Sequence, residues 1–324
     1  MRSFFVALAT VLAALATAGA ARAAGPAPIT IVVFNPPSLG AVFPDVIKQQ
    51  KFDVQNGIDI TFIERPPDAY AAQFNSGEFQ VGGSASVLIL GLGATRGIKT
   101  SYLFNLFDYW GTVVTSRPEI KTLADLKGKQ LAAAKGTTNY TMFAWLAKQQ
   151  GVDPESFQVV NTATPGLVGY AVAERADAVQ LWEPAYTLVK AAMPQIHSID
   201  LNIAKVWKDF AGGGTMPYLG VAAHQEWIDA HRDLVAPLYR AYKQAADWVM
   251  ANPAAAAPMI ASLKNDAERD AITALIKDNS RLALDIAPAG KIAKQIESTY
   301  KAGVDVGLFK DMPPDSSIYR GEMN

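Results

Sequence analysis

Three stretches of this chain place small or hydroxylated residues directly after a run that reads as a buried strand and directly before a helix start: residues 34–38, 81–86 (VGGSAS) and 132–140 (AAAKGTTNY). In an open α/β sheet, ligands settle beyond the carboxyl ends of strands, where helix N-termini offer unpaired N–H groups and partial positive charge. Asn35, Pro37 and Ser38 in the first stretch, Ser84, Ala85 and Ser86 in the second, and Thr137, Thr138, Asn139 and Tyr140 in the third are therefore candidate contacts for a polar or anionic group. Gly82, Gly83 and Gly136 would let backbone approach it closely. Taken singly, each stretch reads as well as a helix cap, a role Ser and Thr fill widely. Three together point to one shared pocket.

Aromatic residues gather near the same strand ends: Phe34, Tyr70, Phe107, Tyr109, Trp110, Tyr140, Trp182 and Tyr186. Core packing is the ordinary fate of each. Trp110 and Trp182 are favoured as ligand contacts because each stands where a strand pattern stops, and Tyr70 joins them on the helix after the second strand. In ERADAVQLWEPAY, residues 174–186, Glu183 either accepts a hydrogen bond from a ligand N–H or points to water. Arg65, Arg96 and Lys135 lie near these loops without forming a basic cluster. A pocket with no basic side chain in reach counts against an anionic ligand.

Composition removes several classes of function. With 29 basic and 30 acidic residues and no run of either sign, a nucleic-acid or anionic-membrane partner has no electrostatic support. The chain has no cysteine, which excludes disulfides, thiolate metal sites, a Cys nucleophile and a lipid anchor on an N-terminal Cys. G-x-S-x-G, the P-loop, H-E-x-x-H and G-x-G-x-x-G are all absent, and His197, His224 and His231 match no metal-ligand spacing, reading as surface helix or loop. No cofactor, metal or catalytic residue is expected, although a pair of distant carboxylates escapes a search of this kind. A positive start, an apolar run over 4–18 and Ala21-Arg22-Ala23 give residues 1–23 the three parts of a signal peptide. Its run is shorter than the ~20 residues of a membrane span.

The elements that must position the candidates follow an α/β pattern. A strand over 29–34 lacks alternation, as in a sheet buried on both faces. A helix to about Gln50, a strand at IDITFIE and a helix over 68–75, capped by Asp68, come next. A second α/β unit occupies about 117–218: strands at 131–134, FQVV and AVQL, helices from Gly136 to Gln150, over 166–174 and from Pro184 to Ala192, closed by YLGVAA. After His224 the pattern is helical only. A unit interrupted near residue 116 and resumed after 219 is what two crossing hinge strands give, with one lobe over 24–115 and 220–324 and the other over 116–219.

Three segments carry a family resemblance: DAYAAQFNSGEFQVGGSASV, TLADLKGKQLAAAKGTTNYTMFAWLAKQQGVD and ERADAVQLWEPAY. The second, with its D-L-K-G-K turn, strand and G-T-T, is shared by many type II binding proteins, and the third, A-D-A, apolar strand and W-x-P, is more particular. The chain resembles, over about 29–249, the periplasmic solute-binding proteins of ABC importers for nitrate, sulfonates, taurine and thiamine-pyrimidine precursors. The resemblance implies a two-lobed α/β type II periplasmic-binding-protein fold, two hinge strands, and a cleft that closes on a small ligand. It implies a monomer in the periplasm with a membrane permease as partner. Carried over by motif, the contacts fall on Asn35, Pro37, Ser38, Ser84, Ala85, Ser86, Thr137, Thr138, Asn139, Tyr140, Trp182 and Glu183. Related pyrimidine synthases carry a cysteine-rich motif that this chain lacks, which argues against an enzymatic branch. The ligand expected is an organic anion such as a sulfonate or carboxylate with an apolar or aromatic body. Alternatives are a planar nitrogen heterocycle such as a pyrimidine or flavin, a sensor role, or a secreted hydrolase or transferase on the same scaffold.

Overall fold

Ile31, Val32 and Val33 of β1 (Ala27–Phe34) are all fully buried. Ile31 and Val33 pack with Phe43, Val46, Leu238 and Tyr242 on one face, and Val32 with Tyr70, Phe74 and Val87 on the other. The run lacks alternation because helices cover the strand from both sides. The computed structural model describes residues 25–323, and the expected signal peptide lies outside them.

In the first sheet β1 is parallel to both β2 (Ile58–Arg65) and β3 (Val81–Ser86). Beyond β3 come β10 (Pro217–His224), β4 (Thr100–Asp108) and β11 (Leu284–Pro288), each antiparallel to its neighbour, so the order is β11-β4-β10-β3-β1-β2. The second sheet holds β5 (Thr112–Thr115), β6 (Gln130–Ala133), β7 (Gln158–Asn161), β8 (Ala178–Leu181) and β9 (His197–Ser198) in the order β7-β6-β8-β5-β9. There β6 is parallel to β7 and β8, and β5 is antiparallel to β8 and β9. Among the described residues no helix is long and apolar enough to cross a membrane.

The chain passes between the sheets at 109–111 and returns at 212–216. Tyr109 N–H donates to Met216 O at 2.7 Å, so the two crossings are bonded to each other. Gly212, Gly213 and Gly214 take φ of 78°, 111° and 81° on the return, a path that favours glycine. These memberships move the expected division. Strand 112–115, read as part of the first lobe, pairs with β8 in the second sheet, and YLGVAA, read as closing the second unit, is the middle of β10 in the first. An isolated apolar run does not reveal which sheet receives it.

Other differences have local causes. VGGSAS is itself a strand, where glycines and serines hide the β pattern. A Cβ on Gly82 would stand 2.3 Å from Tyr70 Oη and one on Gly83 2.8 Å from Tyr242 Oη, so these glycines admit two tyrosines rather than a ligand. Asp68 does not cap the helix Pro67–Asn75, whose cap position is Pro66. The tail after His224 contains β11, a short edge strand whose register on β4 is broken, so LDIAP carries no alternation to read. His224 ends β10 half-buried, with Nε2 2.6 Å from Phe74 O, rather than lying on a surface helix or loop.

At Gly220, in β10, a Cβ would stand 2.2 Å from Phe104 O in β4. Main chain on a paired strand cannot yield cheaply, so Gly220→Ala is expected to destabilise the fold by about 1–3 kcal/mol. A lower urea midpoint at unchanged slope checks this, and an unaltered midpoint would refute the tight β4–β10 approach.

Candidate functional site

Strands β1 and β3 of the first sheet and β6 and β8 of the second end towards one place. Phe34, Ser86, Ala134 and Trp182, at or just past those ends, line a single cavity of about 150 Å³ between the lobes. A dry apolar site of that size takes a benzene-sized body. Its wall is aromatic and aliphatic: Phe34 meets Tyr70 edge to face at 4.8 Å, Tyr70 stacks on Phe74 at 5.9 Å, and Ile89, Leu90, Leu167 and Tyr218 extend the surface.

Its polar side is made of hydroxyls and helix starts. The helices Val87–Thr95, Thr138–Gln149 and Thr164–Val172 all begin at the cavity. Ser38 Oγ is buried there with no hydrogen-bond partner. Among the described residues lining the cavity none is Lys or Arg, and Asp68, exposed at its edge, is the sole charged side chain. Two hydrogen bonds span the cleft: Trp182 Nε1 donates to Pro37 O at 2.7 Å, and Thr138 Oγ1 donates to Ser86 Oγ at 3.0 Å.

The structure brings Ser38, Tyr70, Ser84, Ala85, Ser86, Thr137, Thr138, Asn139 and Trp182 to this cavity. Several of them have structural work as well. Ser84 Oγ accepts the Phe34 N–H at 2.9 Å, tying β3 to β1. Thr137 caps its helix by accepting the Tyr140 N–H at 3.3 Å, a contact worth about 1 kcal/mol. Asn139 Nδ2 donates to Leu181 O at 3.0 Å, which fixes that helix start against the end of β8.

Asn35, Pro37, Trp110, Tyr140 and Glu183 do not line it. Asn35 bonds the adjacent Pro36 O at 3.2 Å, and Pro37 offers its carbonyl to Trp182. Tyr140 packs on Phe143 with Lys135 Nζ 5.8 Å from its ring centre. Trp110 stacks on Tyr186 at 6.0 Å, and the Arg281 guanidinium lies over both rings. Glu183 is 2% exposed: Oε2 accepts the Thr187 N–H at 3.1 Å and Oε1 faces Arg281 Nε at 3.6 Å. Burial pushes its carboxyl up from the ordinary range, while Arg281 and Thr187 pull it partly back. Glu183 therefore answers to an arginine of the other lobe, not to the cavity.

Ile89, Thr164, Leu167, Gln180 and Tyr218 line the cavity without having been singled out in the sequence, and Asp68, read there only as a helix cap, joins them. Gln180 had a readable signal, since a polar residue in the short buried strand AVQL asks for a partner. It finds one by donating to Asn139 O at 3.0 Å.

Residues 48–256, which include parts of both sheets and both crossings, match the NMT1/THI5-like family. The chain belongs to the NMT1/THI5-like family. Its fold is that of the periplasmic binding proteins. The alkanesulfonate-binding protein SsuA of Xanthomonas axonopodis pv. citri, bound to MOPS, superposes with a TM-score of 0.73 at 17% identity, covering 92% of this chain and 100% of that one. The aliphatic sulphonate binding protein SsuA of Escherichia coli gives 0.68 at 16% identity, with 91% and 96% covered. Among curated proteins, one of Brucella abortus described as a binding protein is 24% identical over 140 residues, 43% of this chain. The matched stretch spans 42% of that relative's length.

In this NMT1/THI5-like chain no group of three or more His, Asp or Glu among the described residues is placed to hold a metal. One acidic pair lies at the crossing instead. Asp108, the last residue of β4, receives Asn105 Nδ2 at 3.1 Å and faces Asp285 and Thr215. Burial first, and then the neighbouring Asp285 carboxyl, push Asp108 up to about 8, against hydrogen bonds from Asn105 and Thr215. An unfolded chain releases this proton near the ordinary value of ~4, so between there and about 8 the folded state binds more protons and its stability falls as pH rises. Asp108→Asn removes that dependence. Relative to the parent, the variant's melting temperature should climb as pH goes from 4 to 8, and a constant difference across that window would refute the raised Asp108 carboxyl.

Proposed function

We propose that this protein is the solute-binding component of an ABC importer in the periplasm. It captures a small organic solute between its lobes and passes it on to a membrane permease rather than transforming it. The observation that carries this reading is the cavity itself, enclosed between two sheets, apolar on one side and lined by hydroxyls and helix starts on the other, with Trp182 bonded across its mouth to Pro37. Family membership, the curated relatives described as binding proteins and the sulfonate-binding proteins that share the fold support it.

The solute favoured is an organic oxyanion, a sulfonate or carboxylate, with an aliphatic or aromatic body of roughly ring size. Three helix N-termini supply N–H groups and partial positive charge at the polar side. The missing Lys and Arg weigh the other way, and with Asp68 at the rim they sustain a second reading, a planar nitrogen heterocycle whose N–H groups are accepted by hydroxyls and a carboxylate. Glu183 no longer supports that second reading, because it pairs with Arg281.

Thermal shift of the protein against alkane- and arylsulfonates, aliphatic and aromatic carboxylates, pyrimidines and flavins separates the two. A ligand at about 100 times its Kd adds roughly 2.7 kcal/mol, which moves the midpoint by several degrees. A shift with sulfonates or carboxylates that Trp182→Ala abolishes, with the compound recovered intact, is the expected result. A shift with heterocycles alone would overturn the anion, and conversion of the bound compound would overturn the capture role.

A further inference from the structure

The helix Thr138–Gln149 has its N-terminus at the cavity and its other end against the first lobe. At that far end it meets the last residue of the helix Ala293–Asp305. Asp305 Oδ2 accepts Trp145 Nε1 at 3.0 Å and Gln149 Nε2 at 2.6 Å, while Lys148 Nζ donates to Asp305 O at 2.5 Å and lies 3.4 Å from Oδ1. Three side chains of a second-lobe helix thus converge on one residue of the first lobe.

Nothing local asks for an aspartate there. A carboxylate on the final turn of its own helix stands at the negative end of the helix dipole, where cations are favoured. Its partners all come from across the lobe boundary. Trp145 is fully buried, and its indole N–H finds its acceptor in Asp305. Around this point the packing is apolar: Met142 and Trp145 share a cluster with Ile296 and Tyr300. Such contacts are non-directional, whereas the three donors on Asp305 fix the rotation and rise of the helix. The same helix places Thr138 against Ser86 across the cleft.

We propose that Asp305 is a positioning residue for the cavity: an interlobe latch that favours the closed arrangement by holding helix Thr138–Gln149, and with it the cavity's polar side, against the first lobe. It touches no solute. It raises the fraction of molecules that are competent to bind, and loss of it divides every affinity by one common factor, because the apparent Kd is the intrinsic Kd over the competent fraction. The affinity part rests on the reading of the cavity as the solute site; the closure part does not.

The absence of native cysteine makes a labelling test clean. Nitroxides on Ala72→Cys and Ala173→Cys, both exposed, report lobe separation from the helix Pro67–Asn75 and the end of the helix Thr164–Val172 on opposite sides of the cleft. The ligand-free parent supplies the reference distance distribution. Asp305→Ala should lengthen and broaden it, and Asp305→Asn, which keeps an acceptor for Trp145, should recover part of the short population. If Asp305→Ala fails to fold, the double variant Lys148→Met, Gln149→Ala removes two of the three donors from exposed positions and should lengthen the distance in the same direction. For whichever compounds the thermal-shift panel identifies, Kd should weaken by a common factor of about ten in Asp305→Ala with the ranking of ligands unchanged. An unaltered distance distribution in a folded variant overturns the latch whatever the solute. A changed ranking overturns it too, since that places Asp305 in direct selection. A lengthened distance with no ligand in the panel leaves the latch standing and counts against the capture role alone.

Discussion

Two lengths of chain, 109–111 and 212–216, bear the whole arrangement, and a single main-chain hydrogen bond from Tyr109 to Met216 joins them. Because the chain leaves the first sheet after β4 and comes back as β10, those strands are neighbours and antiparallel, and the sheet is completed by residues more than a hundred positions apart. The same crossing forces β5 to run antiparallel to β8 at the near side of the second sheet. With that fixed, the parallel strands of both sheets point their carboxyl ends at each other. A cavity with helix N-termini on both sides follows from topology before any particular side chain is chosen.

The chain after β10 then encloses what the crossing created. The helix Asp266–Asp278 and Arg281 reach the second lobe on one flank, where Arg281 meets Glu183, Thr187, Trp110 and Tyr186. The helix Ala293–Asp305 reaches it on the other through Asp305. Both second-lobe helices held this way, Thr138–Gln149 and Ala185–Ala192, begin beside cavity residues. The division of labour is physical. Apolar packing supplies most of the attraction but tolerates sliding, while a charge-assisted hydrogen bond is short and directional and so sets where the sliding stops.

How far the sequence revealed this depended on which signals are local. β1 was legible because an uninterrupted apolar, largely β-branched run leaves few alternatives, β2 because Ile58 and Ile60 alternate with Asp59 and Thr61, and the helix Thr138–Gln149 because Thr137 and Gly151 mark its two ends. The cavity-lining loops were legible for the same reason: Ser38, Ser86 and Thr138 sit where strand gives way to helix, and that boundary can be read from residue types. Three features were hidden. β3 was disguised by glycines that exist to admit Tyr70 and Tyr242, partners far away in sequence. Sheet membership of 112–115 and 217–219 depends on pairing between distant strands. Glu183 sits one residue past Trp182 and so shared its promise, yet it lies in the turn after β8 and faces Arg281, an arginine that no motif announces.

The character of the cavity follows from what neutral donors can do. A guanidinium would commit the site to an anion through fixed, bidentate geometry. Hydroxyls such as Ser38, Thr137 and Thr138 rotate and serve as donor or acceptor, so for a solute bound as proposed they would set the position of a polar head without dictating its charge. Helix dipoles bias that choice towards negative charge with no side chain to neutralise when the cleft is empty. For that solute the aromatic wall of Phe34, Tyr70 and Phe74 would then discriminate by shape. One methylene too many in such a wall is worth only about 1–3 kcal/mol. Selectivity built this way rests on how rigidly the two walls are held at their spacing, which is why groups outside the cavity, at the crossings and along the tail, belong to the same binding problem as the residues that line it.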